Sequence, residues 1–205
     1  MSKNAKAMTV QSASLSDRGL NERRPLNEDS FLADRERSIF AVADGVGGAE
    51  AGEVASQTAI EVLDEAFRHQ TEGSDVEDLM ELAIQRANAS IHQMAQEHAR
   101  FAMMATTIVA LHVNGNLATI GHVGDSRLYR LSPDGQLYRE TEDHSIVEEE
   151  TNKRNQNDDG DAASKGPILL LDDGSAERNI LSRGQDFFGQ FFRRINNARR
   201  EHRDS

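Results

Sequence analysis

Acidic side chains lie beside glycine or small polar residues at three points where apolar segments end. These are NEDS at residues 27–30, the Asp44-Gly45 pair and the Gly124-Asp125 pair. Carboxylates placed in this way suit Mg²⁺ or Mn²⁺, which prefer oxygen ligands. A glycine after the aspartate also lets a backbone carbonyl approach an ion. One Asp-Gly pair alone is more often a plain turn, so the prediction of a cation site depends on the three clusters together.

Other residue types narrow the chemistry of this predicted site. The chain has no cysteine, so any metal ion must be held by oxygen or histidine. His122 lies in an apolar segment and His144 in a predicted loop, and we favour a structural role for both. Arg24 lies just upstream of the first acidic cluster, where its guanidinium would suit a phosphate group.

The N-terminal half is predicted to hold strands and then helices. Residues 9–14 alternate weakly and favour an opening strand, and residues 30–32 and 38–43 favour a hairpin. Apolar residues at helical spacing predict a helix over 52–69. A second helix is predicted after Ser74, with Glu77 completing a capping box.

Strands are predicted to return after the helices. Residues 106–113 and 117–123 flank Asn114-Gly115, a strong hairpin sequence, and shorter extended segments follow at 127–131 and 136–139. This order favours an α+β layered fold with an antiparallel sheet rather than alternating βαβ units.

The character of the chain changes after residue 150. Residues 151–165 are polar and predict a loop or disordered segment. A short apolar run follows at 167–171, and residues 187–195 place phenylalanines at helical spacing before several arginines. That basic helix would cover exposed sheet, dock a partner or, as the least favoured reading, touch an anionic membrane.

Composition excludes some classes of function. The net charge is −12, which opposes binding to a nucleic-acid backbone and suits a site that concentrates cations, although acidity also serves solubility. No segment is long and apolar enough to span a bilayer, and no apolar signal region follows the first residues. We therefore expect a cytoplasmic location.

These segments together resemble the bacterial metal-dependent serine/threonine protein phosphatases of type 2C (PPM). The similar segments keep the order of the family over roughly residues 10–150. They are SDRGL (16–20), Arg24, NEDS (27–30), VADGVGG (42–48), ATT (105–107), GHVGDSRLY (121–129) and DHS (143–145).

The resemblance implies an α-β-β-α sandwich of four layers and hydrolysis of phosphoserine and phosphothreonine in proteins. Two Mg²⁺ or Mn²⁺ ions would share Asp44, with the Gly45 carbonyl assisting one of them. Glu28 would act mainly through metal-bound water, with Asp29 beside it, and Asp125 would serve a third, weaker metal position. Arg24 would bind the substrate phosphate, and the partners would be phosphoproteins and a cognate serine/threonine kinase.

The C-terminal part departs from this pattern. Two metal-binding aspartates expected on later strands have no clear counterpart, so the sandwich is expected to be incomplete there. Either residues 179–184 are a remnant of the segment before those strands, or residues 169–174 imitate one strand with Asp173 as a metal ligand. We expect a phosphatase-like core over 1–150, a polar loop, divergent flap or disordered segment over 151–178, and a remnant with the basic helix over 179–205. The alternative to an enzyme is a catalytically impaired relative that binds a phosphoprotein or kinase.

Overall fold

The computed structural model describes residues 10–20, 26–47 and 51–144, together with the backbone of two strands near the C-terminus. In the described ranges no helix combines the length and apolar character needed to cross a membrane. In chain order the elements are β1 (Asp29–Asp34), β2 (Ile39–Val46), α1 (Ala51–Arg68), α2 (Val76–Glu97), a 3₁₀ turn (Ala99–Phe101), β3 (Ala105–Thr106), β4 (Ile108–Asn114), β5 (Leu117–Val123), β6 (Leu128–Leu131), β7 (Leu137–Arg139), β8 (Ile168–Leu171) and β9 (Glu177–Leu181).

The predicted N-terminal hairpin is confirmed. β1 and β2 pair antiparallel from Asp29 opposite Asp44 to Asp34 opposite Ile39. The connecting turn is held by Asp34, whose carboxylate accepts hydrogen bonds from the Arg37 backbone and side chain at 2.8 and 2.9 Å.

The prediction of a strand over 9–14 is wrong for residues 10–14, which do not form a strand. Residues 11–20 are exposed, so they have no buried apolar face that would stabilise a strand in a sheet.

Both predicted helices are confirmed, with one correction at a terminus. The N-cap of α2 is Asp75 rather than Ser74, because the Asp75 carboxylate accepts from the backbone N–H groups of Glu77 and Asp78. The Ser74 hydroxyl instead donates to the Thr71 carbonyl at 2.8 Å. Both residue types cap helices well. Ser74 is used in the turn that precedes the helix, which leaves Asp75 as the N-cap.

The larger sheet has the strand order β1-β2-β4-β5-β9, with β3 paired to β2. The hairpin at Asn114-Gly115 is confirmed, with Gly115 at φ 59° in the left-handed region that this turn requires. The prediction of an antiparallel sheet is incomplete. β9 pairs parallel with β5, and in the smaller sheet, of order β7-β6-β8, β8 pairs parallel with β6.

The alternation of buried residues on β4 separates two apolar layers. Ile108 and Ala110 pack in the core beneath α1 and α2, whereas Val109 and Leu111 face the other way and pack with Leu128 of the smaller sheet. The described part is therefore a helix layer on two packed sheets, which supports the predicted α+β sandwich. The described residues form no second helix layer, and the loop over 151–165 and the C-terminal basic helix lie outside them.

Candidate metal and phosphate site

Three of the predicted carboxylate positions lie at one end of the larger sheet. β4 runs antiparallel to both β2 and β5, so β2 and β5 point the same way and their C-terminal ends meet at one edge. Asp44 lies near the end of β2, and Asp125 follows the end of β5. Asp29 begins β1 directly opposite Asp44. Their side chains start from one face of the hairpin, about 5 Å apart at Cβ.

Burial and strand alternation define the environment of the Asp29–Asp44 pair. Asp44 follows Phe40 and Val42 at two-residue spacing, on the face of β2 that packs toward the smaller sheet. Asp29 is exposed at the start of β1, and partial desolvation of its carboxyl raises its pKa above the usual value. A divalent cation would favour the ionised form of such a carboxyl.

Glu28 is held against the first turn of α1. Its backbone carbonyl accepts hydrogen bonds from the Gly45 N–H at 3.1 Å and the buried Ser56 hydroxyl at 2.6 Å. Its carboxyl carbon lies where a side chain at Gly52 would begin, since a Cβ there would be 2.8 Å from it. The Glu28 side chain therefore occupies space that exists only because residue 52 is glycine.

Thr107 joins Asp44 to the connection that carries Asp125, which we call the Asp125 loop (residues 124–127). The Thr107 hydroxyl accepts from the Asp44 N–H at 3.1 Å and hydrogen-bonds the Ser126 hydroxyl at 2.5 Å. The Thr107 N–H donates to the Asp44 carbonyl at 2.9 Å. One fully buried side chain thus fixes the spacing between two predicted ligand positions.

The outer side of the Asp125 loop is fastened to residues 143 and 144. Arg127 donates through Nε to both carboxylate oxygens of Asp143, at 3.1 and 3.2 Å, and through Nη2 at 2.6 Å. The Gly124 carbonyl accepts from the His144 N–H at 3.0 Å, and the Gly124 N–H donates to His144 Nδ1 at 3.4 Å. The hydrogen bonds to Asp143 raise the pKa of Arg127.

The two histidines lie together behind the Asp125 loop. The His122 and His144 rings are 4.7 Å apart. Burial, and secondarily the neighbouring His144, lowers the pKa of His122 to about 4, while Asp143 and Asp125 oppose this shift. Its buried Nε2 has no hydrogen-bond partner within the described residues. A neutral, enclosed imidazole supports the structural role favoured for His122 on sequence grounds.

The chemistry of the predicted donors fits a hard divalent cation, and one of them, Asp173, lies outside the described residues. Carboxylates and the Gly45 carbonyl supply only oxygen, and Gly52 leaves room for the Glu28 carboxyl. Within the described ranges, no three His, Asp or Glu side chains come close enough together to hold a metal ion. Arg24 and Asp173 both lie outside the described residues. The ligand and phosphate-binding roles therefore stay predictions.

Sequence reasoning missed the residues that hold these carboxylates in place. Thr107 was recognised only as the start of a strand, and Gly52 only as a helix position. Ser56 is fully buried and links the Glu28 carbonyl to the Ser30 hydroxyl. A serine on the apolar stripe of a helix is the one sequence feature that indicates such a buried hydrogen bond.

Comparison with known proteins identifies the family. The sequence profile of the family Protein phosphatase 2C matches residues 21–204. The chain belongs to the protein phosphatase 2C family.

Curated relatives are serine/threonine phosphatases of bacteria. The chain is 36% identical over 141 residues to the serine/threonine protein phosphatase PstP of Mycobacterium tuberculosis, covering 69% of this chain and 26% of that protein. It is 36% identical over 129 residues to the serine/threonine phosphatase stp of Listeria innocua, covering 60% of this chain and 51% of that protein. The chain therefore spans only part of the length of these relatives.

Solved structures agree with the fold. The catalytic domain of PstP in complex with two manganese ions has a TM-score of 0.62 at 36% identity, over 69% of this chain and 59% of that one. Serine/threonine phosphatase Stp1 of Staphylococcus aureus has a TM-score of 0.60 at 28% identity, over 73% and 61% of the two chains. The described elements are thus those of a type 2C phosphatase domain.

Proposed function

We propose that this chain hydrolyses phosphoserine and phosphothreonine in proteins with the help of Mg²⁺ or Mn²⁺. The observation that carries the proposal is the position of Asp29 and Asp44 on paired strands, with the Asp125 loop tied to Asp44 through Thr107. The family supports metal dependence, and the PstP structure with two manganese ions supports Mn²⁺ as a suitable ion.

Separate residues would bind the cations and the substrate phosphate. Asp44, the Gly45 carbonyl, Glu28, Asp29 and Asp125 would hold the cations, and Arg24 would hold the substrate phosphate. Divalent ions, when bound, acidify coordinated water and offset phosphate charge. The hairpin and the buried Thr107 would hold the backbone of these ligand positions in place before the cations arrive, which reduces the cost of ordering the ligands. A cognate serine/threonine kinase as partner remains a prediction.

Replacing Asp44 tests the activity directly. With Mn²⁺ present, we expect the purified chain to hydrolyse a phosphothreonine peptide and an aryl phosphate, and Asp44→Ala to reduce both rates to background. The reason is that the predicted shared ligand of both ions is lost. Phosphate release with and without Mn²⁺ measures the effect.

A matched control uses an aspartate away from the predicted site. Asp64 on α1 pairs with Arg37 at 2.5 Å, and Asp64→Ala should keep the activity. A folded wild-type chain that shows no Mn²⁺-dependent hydrolysis contradicts the proposal. If that chain still captures a phosphopeptide, the alternative of a non-catalytic binding module holds instead.

A further inference from the structure

The Asp125 loop is a short connection whose shape depends on contacts at both of its ends. Gly124 has φ 108°, a conformation that side chains disfavour, and a Cβ there would lie 2.6 Å from the Thr107 methyl group. Ser126 is tied inward to Thr107, and Arg127 is tied outward to Asp143. The position of the Asp125 backbone therefore depends on residues that lie on either side of it.

Asp143 is a carboxylate turned toward arginines. It is 7% exposed, and Oδ1 lies 3.1 Å from Arg127 Nε and 3.4 Å from Arg139 Nη2, while Oδ2 lies 2.6 Å from Arg127 Nη2. Both oxygens are thus engaged by guanidinium groups. Asp143 therefore contacts the Asp125 loop through Arg127.

We propose that Asp143, through Arg127, positions the Asp125 loop and so sets the affinity of the cation that Asp125 holds. The inference rests on the proposed function in assigning a cation to Asp125. The geometry supports it because Arg127 is two residues from Asp125 and makes three hydrogen bonds to one carboxylate. Such bidentate pairs fix direction as well as distance.

The test is the isosteric substitution Asp143→Asn. It removes the charge that holds Arg127. Substitution of a residue that orients a metal ligand typically weakens metal affinity by about 10–100-fold. By calorimetry we therefore expect the weakest Mn²⁺ site, which is the one assigned to Asp125, to bind at least about tenfold less tightly than in the wild type. Without metal, amide hydrogen exchange over residues 124–128 should be faster than in the wild type, with α1 unchanged.

Two further variants separate a specific role from general damage. Asp34→Asn removes a comparable contact with Arg37 at the other end of β1, roughly 16 Å from Asp29, and should leave Mn²⁺ affinity unchanged. Arg127→Lys keeps the positive charge but loses the bidentate hydrogen bonding of the guanidinium group to Asp143. The Mn²⁺ affinity should therefore fall less than in Asp143→Asn. If Asp143→Asn does not fold, the Mn²⁺ affinity of Arg127→Lys tests the inference instead, and an affinity equal to that of the wild type overturns it.

Equal affinity of the weakest Mn²⁺ site in the wild type and Asp143→Asn overturns the inference, even if exchange over 124–128 is faster, because Asp143 would then be only structural. A wild-type chain that binds no Mn²⁺ overturns both this inference and the proposed function. Weaker Mn²⁺ binding in Asp143→Asn, in a chain whose wild type shows no hydrolysis, supports this inference while the proposed function fails.

Discussion

At the scale of single residues, the hydroxyl of Thr107 connects the two halves of the predicted site. It accepts from the Asp44 N–H and hydrogen-bonds Ser126, and its side chain is fully buried. Thr107→Val keeps the shape of the side chain and removes the hydroxyl. We expect the free energy of unfolding to fall by about 1–3 kcal/mol, because buried polar groups lose a partner. Urea unfolding measures this loss.

Thr107→Ser is the control for that substitution. It keeps the hydroxyl and removes the methyl group near Gly124, which should cost about 0.8 kcal/mol. A Thr107→Val protein as stable as the wild type would show that the hydrogen bonds contribute nothing to the fold.

The sequence predicted the acidic members of the site but not Thr107. Asp44 and Asp125 are recognisable because each follows an apolar strand and adjoins a glycine, which is a local pattern. The partners of the Thr107 hydroxyl are 63 and 19 residues away along the chain. Nothing in the local sequence indicates such contacts, because they arise only when β2, β4 and β5 pair.

At the scale of elements, the start of α1 is fitted to the end of β2. A Cβ at Gly52 would lie 2.8 Å from the Glu28 carboxyl carbon and 2.9 Å from backbone atoms of Gly45 and Val46. Alanine usually stabilises a helix relative to glycine, but these backbone atoms cannot move aside cheaply. We expect Gly52→Ala to lower the free energy of unfolding by about 1–3 kcal/mol, measured by urea unfolding.

The matched control lies on the exposed side of the same helix. Gln57→Ala should change stability by less than about 0.5 kcal/mol, because it is a surface substitution to a strong helix former. If Gly52→Ala is as stable as Gln57→Ala, the close packing of α1 on Glu28 is not required for the fold.

The existence of the elements was predictable, and their partners were less so. Period and turn residues located both helices, the two hairpins and the extended segments of β6 and β7 to within a few residues, whereas β9 was not predicted as a strand. The parallel pairing of β9 with β5 was missed, because residues 177–181 reach β5 from far along the chain. A strand's own sequence indicates its buried face but not the direction of its neighbour.

At the scale of the whole molecule, buried imidazoles make stability depend on pH. Burial lowers the pKa values of His112, His122 and His144, and that of His122 falls from 6.5 to about 4. Between about 4 and 6.5 the unfolded chain then binds more protons than the folded one at His122. The free energy of unfolding must therefore decrease as the pH falls through this window.

Between pH 7.5 and pH 5 we expect His122 alone to contribute about 2 kcal/mol of this acid loss, since each pKa unit corresponds to about 1.4 kcal/mol and about 1.5 units of the window lie above pH 5. Urea unfolding of the wild type and His122→Gln at pH 7.5 and pH 5 measures it. The variant should lose less stability on acidification, because glutamine does not titrate. The comparison cancels the opposite contribution of Asp29, whose raised pKa favours the folded state at low pH. Equal losses in both proteins would mean that His122 titrates normally, and that the imidazoles behind the Asp125 loop are open to water.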